Sequence, residues 1–208
     1  MKVCYIVLTC EKYLNTRVKW QMETMFKNID KDDIYYLGHT NDKDNRLFSW
    51  GALDDYNNLP FKFIDFFKNI ELNYDWYFFI DDDTFVFHDN LYRLLSNYKH
   101  TDYICIGKQL DHIKNTCWGL YMSGGAGTII SNVVYKDICA FILSKDRNEV
   151  AYHWCADICL GMWTKKIGNV LFVDNINFHT DMYNKNTDNL NEAITFHHLK
   201  NKDDYTQF

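Results

Sequence analysis

Short apolar runs alternate along this chain with segments of helical periodicity. The apolar runs predict strands at residues 2–8, 34–37, 76–80, 85–87, 103–107 and 169–173. Apolar residues spaced three and four apart predict helices near residues 15–28, 60–70, 90–97, 134–142 and 156–166. Because strands and helices alternate, we expect an α/β fold with a mainly parallel sheet, in which ligands bind at the carboxyl ends of strands.

Length and charge restrict the classes of protein that this chain can belong to. The 208 residues are 47% hydrophobic and carry a formal charge of −6, and they contain no repeat or linker, so we expect one domain over residues 1–208. An acidic chain is a poor general ligand for nucleic acid. The apolar runs are too short to span a membrane, and no export signal opens the chain, so we expect a cytoplasmic location.

Three adjacent carboxylates follow directly on the apolar run at residues 76–80. Asp81, Asp82 and Asp83 repel one another, and a divalent cation such as Mg²⁺ or Mn²⁺ would offset that repulsion. In an extended segment, Asp81 and Asp83 point to one side and Asp82 to the other. The pattern predicts that Asp81 and Asp83 act on a metal–diphosphate and that Asp82 reaches a sugar or backbone donor. A solvated acidic turn is the alternative, but such a turn does not need apolar residues on both sides.

Three further segments contain candidate chemistry. Three glycines within residues 124–127 allow a ligand to approach the backbone closely, although a helix-entry turn would also use them. Asp157 opens an apolar helix, where an acid is also favoured for ordinary electrostatic reasons. His179 and His197 lie in apolar-flanked segments near the C-terminus, and either could complete a metal site that the acids begin.

Six segments in order resemble the Fringe-like and β1,3-glycosyltransferase families. The first strand is followed by a helix containing Arg17, as in the first βα unit of these families. The other matching segments are DDYNNLPFK at 54–62, WYFFIDDDTFV at 76–86, SGGAG at 123–127, DICLG at 157–161 and AITFH at 193–197. Two departures are visible. Cys155 and Ala156 replace the usual acidic or proline residues, and Asp181 replaces the second histidine of a Fringe motif.

The resemblance implies a GT-A fold, with a Rossmann-like mixed β-sheet flanked by helices. It also implies an inverting, metal-dependent transfer of a sugar from a UDP-sugar to an acceptor hydroxyl, usually in a β1,3 linkage. The partners would be the UDP-sugar donor and a glycan or glycoprotein acceptor, with Mn²⁺ or Mg²⁺ as cofactor. We expect a single catalytic domain without the stem and membrane anchor common in the family.

The resemblance also implies roles for individual residues. Asp157 would be the general base, and Asp81, Asp83 and His197 would bind the metal, with His179 as the second choice. The nucleotide-sugar would contact Asp81, Asp82, Lys62, Thr9 and Arg17. The sugar or acceptor would contact Trp118, Gly124, Gly125 and Ala126. Lys62 could instead be a structural ion-pair partner, and Trp118 could instead be a core aromatic residue.

Two other classes of protein remain as alternatives. A divalent-metal phosphotransferase or nuclease could use the acidic triplet, but it would need a phosphate-binding lysine loop or a basic groove, and the sequence shows neither. A catalytically inactive sugar-binding module on the same fold would keep the pocket and lose the metal ligands or the base. The chain retains candidates for both functions.

Overall fold

The computed structural model describes residues 1–110 and 121–208. Its strands are β1 (Val3–Leu8), β2 (Ile34–Leu37), β3 (Leu47–Phe48), β4 (Trp76–Asp81), β5 (Phe85–Val86), β6 (Ile104–Gly107), β7 (Gln109–Leu110), β8 (Tyr121–Met122), β9 (Thr128–Ser131), β10 (Leu171–Asp174) and β11 (Thr195–Phe196). Its α-helices are α1 (Lys19–Glu23), α2 (Leu59–Asn69), α3 (His88–Leu95), α4 (Asn132–Leu143), α5 (Arg147–Val150), α6 (Ala156–Ile167) and α7 (Lys202–Thr206). Single 3₁₀ turns occur at Glu11–Tyr13, Lys31–Asp33 and Tyr56–Asn58, and a π-helical turn at Leu14–Val18.

Within the described residues, seven strands form a mixed central sheet in the order β10-β6-β9-β4-β1-β2-β3. β1 runs parallel to β2 and β4, but β9 lies between β4 and β6 and is antiparallel to both. The expectation of a mainly parallel sheet is confirmed, because the other six strands all run in one direction. The antiparallel strand β9, which the periodicity did not predict, makes the sheet mixed, and helices flank it as the family resemblance implied.

Two apolar cores lie on opposite faces of the sheet. Along β1, Val3, Tyr5 and Val7 face one core, and Cys4, Ile6 and Leu8 face the other. Helices α3 and α7 cover the first face, and α2, α4 and α6 cover the second. A strand buried on both faces needs a continuous apolar run, and for this reason β1 and β4 could be predicted from the sequence.

The first helical segment is shorter and less regular than the periodicity predicts. Instead of one helix over 15–28, a π-helical turn leads into α1, and the chain leaves helical geometry at Thr24. Gln21 is fully buried, and its amide donates to the carbonyls of Asp81 and Thr84 at 3.2 and 2.9 Å. The conformation of this segment is thus set by its hydrogen bonds to the acidic turn, and not by the spacing of its apolar residues.

A small second sheet joins the C-terminal segment to the acidic turn. β5 pairs antiparallel with β11 and lies outside the main sheet. Beyond β11, the backbone N–H of Leu199 donates to the Asp83 carbonyl at 3.0 Å, and the Tyr205 hydroxyl donates to the Asp82 carbonyl at 2.6 Å. These contacts place the segment that follows β11 directly over the acidic residues.

Two further observations concern membranes and cysteines. Across residues 1–110 and 121–208, no helix is long and apolar enough to cross a bilayer. The six cysteines in those residues form no disulfide with one another. Cys117 lies outside the described residues.

Candidate active site

A cleft lies at the carboxyl ends of β1 and β4, and it consists of two adjoining chambers. The wide chamber encloses about 400 Å³ and is lined by the acidic triplet and Arg17. The narrow chamber encloses about 190 Å³ and is lined by Gly124 and Asp157. The residues shared by both chambers are Leu8, Tyr56, Leu59, Asp81 and His197. A larger cavity of about 550 Å³ lies between the first helical segment and β2–β3, and none of the acidic triplet lines it.

The three acidic side chains point in two directions, as their alternation predicts. Asp82 accepts hydrogen bonds from the Thr9 hydroxyl at 2.8 Å and from the Arg17 guanidinium at 2.9 Å. Asp81 and Asp83 face the other way, toward His197, whose Nε2 lies 3.8 Å from Asp81 Oδ2 and 3.1 Å from Asp83 Oδ1. Arg17 also reaches Asp83, at 3.3 Å.

His197 is oriented by the backbone. Its Nδ1 lies 3.3 Å from the Thr180 carbonyl oxygen and donates to it in the tautomer that this contact favours. Nε2 then faces two carboxylates, a position that calls for a proton or a metal cation. His198 is adjacent, and one ligand atom from each of Asp83, His197 and His198 lies within 4.8 Å of the others.

His179 lies away from this cluster. Its ring stacks on Phe196 at a centroid distance of 4.5 Å, and its Nδ1 is 3.9 Å from Asp188. The structure thus brings the preferred histidine, His197, to the acids and not the second choice.

The acids carry strongly different proton affinities. Burial and the neighbouring Asp83 carboxylate raise the pKa of Asp81 to about 7, although its side chain is 36% exposed. Burial raises the pKa of Asp82 to about 6, against the hydrogen bonds from Thr9 and Arg17. Burial acts in the same direction on Asp83, but the His197 hydrogen bond and charge hold the pKa of Asp83 below its usual value.

This donor set fits a divalent cation. The Arg17 guanidinium pairs with two of the three carboxylates, Asp82 and Asp83, so the cluster is short of positive charge. Burial and then the Asp83 charge raise the pKa of Asp81. Asp83 offers carboxylate oxygen, and His197 and His198 offer imidazole nitrogen. Mg²⁺ is bound mainly by oxygen, so the mixed set suits Mn²⁺ better.

Asp157 lies in the first turn of α6 and faces the narrow chamber. Its carboxylate accepts hydrogen bonds from the backbone N–H of Gly124 at 3.2 Å and of Ile158 at 2.8 Å. Burial raises the pKa of Asp157 in spite of these bonds. A carboxylate with a raised pKa is a stronger base than an ordinary aspartate, and it becomes protonated at a higher pH.

The glycine turn fits tightly between the two sets of acids. A Cβ on Gly125 would overlap the His197 ring, and one on Gly124 would lie 3.0 Å from the Cβ of Asp157. The Gly125 carbonyl accepts a hydrogen bond from the buried Thr84 hydroxyl at 2.7 Å. The absence of side chains here lets His197 and Asp157 approach the same short turn.

The remaining predicted residues divide into three groups. Thr9 and Lys62 line the wide chamber, but the Lys62 ammonium is engaged by the Thr9 carbonyl at 2.6 Å and by Asp54 at 2.7 Å, the geometry of an ion-pair partner. Ala126 is fully buried and lines neither chamber, so its side chain cannot contact a sugar there. Trp118 lies outside the described residues.

Among the cleft residues that were not predicted as site residues are His198 and Tyr56. His198 follows His197 directly, and the HH pair was the available signal. Tyr56 lines both chambers, and its only signal was its place in the DDYNNLPFK segment.

The sequence of the chain matches a protein family and an individual relative. The model of the Fringe-like family matches residues 2–208. Over 58 residues the chain is 47% identical to glycoprotein-N-acetylgalactosamine 3-beta-galactosyltransferase 1 of Xenopus laevis. That match spans 27% of this chain and only 15% of the Xenopus protein.

Solved structures show the same fold at low sequence identity. The bifunctional glycosyltransferase WbbM in its apo form has a TM-score of 0.59 at 12% identity, covering 99% of this chain and 49% of that one. A glycosyltransferase involved in glycosylation of the major capsid of PBCV-1 has a TM-score of 0.54 at 10% identity, covering 98% of both chains. The glycosyltransferase GlyE of Streptococcus pneumoniae TIGR4 has a TM-score of 0.52 at 13% identity, covering 96% of this chain and 55% of GlyE.

Proposed function

Because the chain belongs to the Fringe-like family, we propose that it is an inverting glycosyltransferase that moves a sugar from a UDP-sugar to an acceptor hydroxyl. The observation that carries this proposal is the pair of adjoining chambers. One contains the acidic triplet, the other contains Asp157, and Asp81 and His197 line both. A donor diphosphate and an acceptor hydroxyl would thus meet where the chambers join. By analogy with the Xenopus relative, a β1,3 linkage is the one we propose.

The wide chamber is where we place the donor. Asp83, His197 and His198 would hold Mn²⁺, which when bound neutralises negative charge on the diphosphate that leaves. Arg17 is fixed between Asp82 and Asp83 and stacks over the Tyr13 ring at 4.0 Å, so its orientation is set before any ligand arrives. Thr9 and Arg17 together keep Asp82 turned away from the metal ligands.

Asp157 acts as the general base in the narrow chamber. Its carboxylate takes the proton from the acceptor hydroxyl as that oxygen attacks the anomeric carbon of the donor sugar. The bond between the anomeric carbon and the diphosphate oxygen breaks, and UDP leaves with the bonding electrons. Attack from the Asp157 side, opposite the triplet, inverts the anomeric configuration. The hydrogen bonds from Gly124 and Ile158 hold the carboxylate in place for this transfer.

The charge of the cleft argues against a phosphotransferase or nuclease. Among the described residues, the lysine and arginine side chains that line the chambers are Lys62 and Arg17. Both are paired with carboxylates, Lys62 with Asp54 and Arg17 with Asp82 and Asp83. A site that grips several phosphates of a polymer needs basic groups that are free to bind them.

A donor screen tests the proposal. The purified chain is incubated with a panel of UDP-sugars, with Mn²⁺ or with EDTA, and UDP release and thermal stabilisation are measured. We expect one UDP-sugar to give Mn²⁺-dependent UDP release and a raised melting temperature. Release of phosphate from nucleotides without any sugar transfer, or no response to any UDP-sugar, would overturn the proposal.

A further inference from the structure

Two exposed aromatic rings lie together, and one of them belongs to Tyr56, which lines the narrow chamber. Trp154 is 48% exposed and Tyr56 is 65% exposed, yet their ring centroids are only 5.2 Å apart, with the planes tilted by 48°. The two residues come from different parts of the chain, since Tyr56 opens the 3₁₀ turn before α2 and Trp154 lies just before α6. Large apolar surfaces left open to water in adjacent positions are typical of binding sites.

The Trp154 ring is held in place from beneath. The His153 ring stacks on it at a centroid distance of 5.0 Å and an angle of 30°. His153 Nδ1 in turn accepts a hydrogen bond from the backbone N–H of Cys155 at 3.0 Å, and the Cys159 thiol donates to the His153 carbonyl at 3.2 Å. The first turn of α6 therefore anchors the exposed ring, so little side-chain freedom remains to be lost when a ligand binds.

The ring pair is continuous with the chamber that contains Asp157. Tyr56 lines both chambers, and Cys155, the residue after Trp154, lines the narrow one. Much of Tyr56 stays exposed to solvent beside the chambers that it lines. A ligand on the rings would thus extend toward Asp157.

We propose that Trp154 and Tyr56 form an acceptor platform that binds the C–H face of a neutral pyranose and presents one of its hydroxyl groups to Asp157. This inference rests on the proposed function. One face of a pyranose ring carries several C–H groups, which pack on aromatic rings through dispersion and desolvation of apolar surface. The ring edge carries hydroxyl groups, and the position of the platform beside the base selects a sugar as occupant rather than an apolar peptide side chain.

Binding of methyl glycosides tests the platform without requiring turnover. Saturation-transfer NMR is recorded with methyl glycosides of neutral hexoses and N-acetylhexosamines, in the presence of UDP and Mn²⁺. The proteins are the wild type, Trp154→Ala, Trp154→Phe and, as a control, Tyr103→Ala, a partly exposed tyrosine that lines neither chamber. We expect one glycoside to bind the wild type and the control equally. Trp154→Ala should weaken its binding on the order of tenfold, the size of losing one stacked ring, and Trp154→Phe should restore most of it.

The outcomes separate the platform from the proposed function. Equal binding of the glycoside to the wild type and to a folded Trp154→Ala variant overturns the platform, and so does the failure of every glycoside to bind the wild type. UDP binding is followed in the same samples by its own NMR signals. If UDP does not bind while a glycoside still depends on Trp154, the donor part of the proposed function fails and the platform stands.

Discussion

At the scale of single residues, the cleft is organised by one arginine and one histidine among three acids. Arg17 holds Asp82 and touches Asp83, whereas His197 faces Asp83 and Asp81. The acids outnumber the cations paired with them, and burial together with the neighbouring Asp83 charge raises the pKa of Asp81. This charge imbalance is the reason that we propose a divalent cation, and not another side chain, to complete the site.

Asp83→Ala tests the metal role most simply. The substitution removes one of the three grouped ligand residues, so the increase in UDP affinity that Mn²⁺ produces should fall by more than about tenfold. Calorimetric titration with UDP, with and without Mn²⁺, measures this increase. Asp89→Ala, an exposed acid in the first turn of α3, serves as control and should behave as the wild type. An unchanged Mn²⁺ effect in Asp83→Ala would count against the metal site.

Lys62 illustrates a residue whose role the sequence left open. Its side chain is 2% exposed, and its ammonium joins the Thr9 carbonyl at the end of β1 to Asp54. Lys62→Met should therefore lower the free energy of unfolding by about 3 kcal/mol, because it leaves Asp54 and the carbonyl unpaired. Denaturant unfolding measures this, and the exposed contact of Lys68 with the Lys145 carbonyl provides the control, with Lys68→Met costing less than about 0.5 kcal/mol. Unchanged stability with weakened UDP binding would instead make Lys62 a nucleotide contact.

Some site residues could be predicted from the sequence and others could not. The alternation of side chains along a strand was enough to predict that Asp82 points away from Asp81 and Asp83, because this geometry depends only on neighbouring residues. The choice between His197 and His179 depends on the pairing of β5 with β11, a contact between segments more than 100 residues apart. No local pattern encodes such a pairing, and only the family resemblance favoured His197.

At the scale of elements, the glycine turn before β9 links the two halves of the site. Its residues 124 and 125 approach Asp157 and His197 respectively, and the Thr84 hydroxyl ties the turn to the acidic segment. The same turn leads directly into a strand in the middle of the sheet, which fixes its position rigidly. The separation of the proposed base from the proposed metal ligands is thus set by one short, anchored backbone segment.

A pair of alanine substitutions tests this linkage. Gly125→Ala should displace the His197 ring and weaken Mn²⁺-dependent UDP binding about tenfold or more, whereas Gly124→Ala should press on Asp157 and lower the rate of transfer with less effect on UDP binding. Calorimetry and transfer assays distinguish the two outcomes, and thermal unfolding verifies that both variants fold. Identical effects of the two variants on UDP binding would show that the turn does not separate the two functions.

The elements themselves were predicted unevenly. The buried strands β1, β2, β4 and β6 and the helices α4 and α6 had clear periodicity, and the structure contains each of them within two or three residues of its prediction. β9 was missed because its four residues directly follow the glycine segment and lead without a break into α4. The predicted first helix was too long, because the buried amide of Gln21 donates hydrogen bonds to the acidic turn. The spacing of apolar residues does not reveal such bonds.

At the scale of the whole molecule, a sheet with an apolar core on each face supports a cleft at the carboxyl ends of its strands. β1 and β4 are buried on both faces, and because they run parallel, Thr9 and the acidic triplet lie side by side at their carboxyl ends. The C-terminal segment closes over that edge through β11 and the bonds from Leu199 and Tyr205. The overall architecture followed from alternating strands and helices, but the closure joins residues 195–205 to residues 82–86, which lie more than 100 positions earlier, and could be seen only in three dimensions.

The central claim is that Asp157 deprotonates an acceptor while the triplet side of the cleft holds the donor. The most direct measurement compares wild type and Asp157→Asn, using the donor and acceptor that the screens identify, for both transfer rate and Mn²⁺-dependent UDP affinity. We predict that the rate falls about 10²–10⁴-fold, the usual contribution of a general base, while UDP affinity is retained. Transfer at the wild-type rate by a folded Asp157→Asn variant would contradict the account.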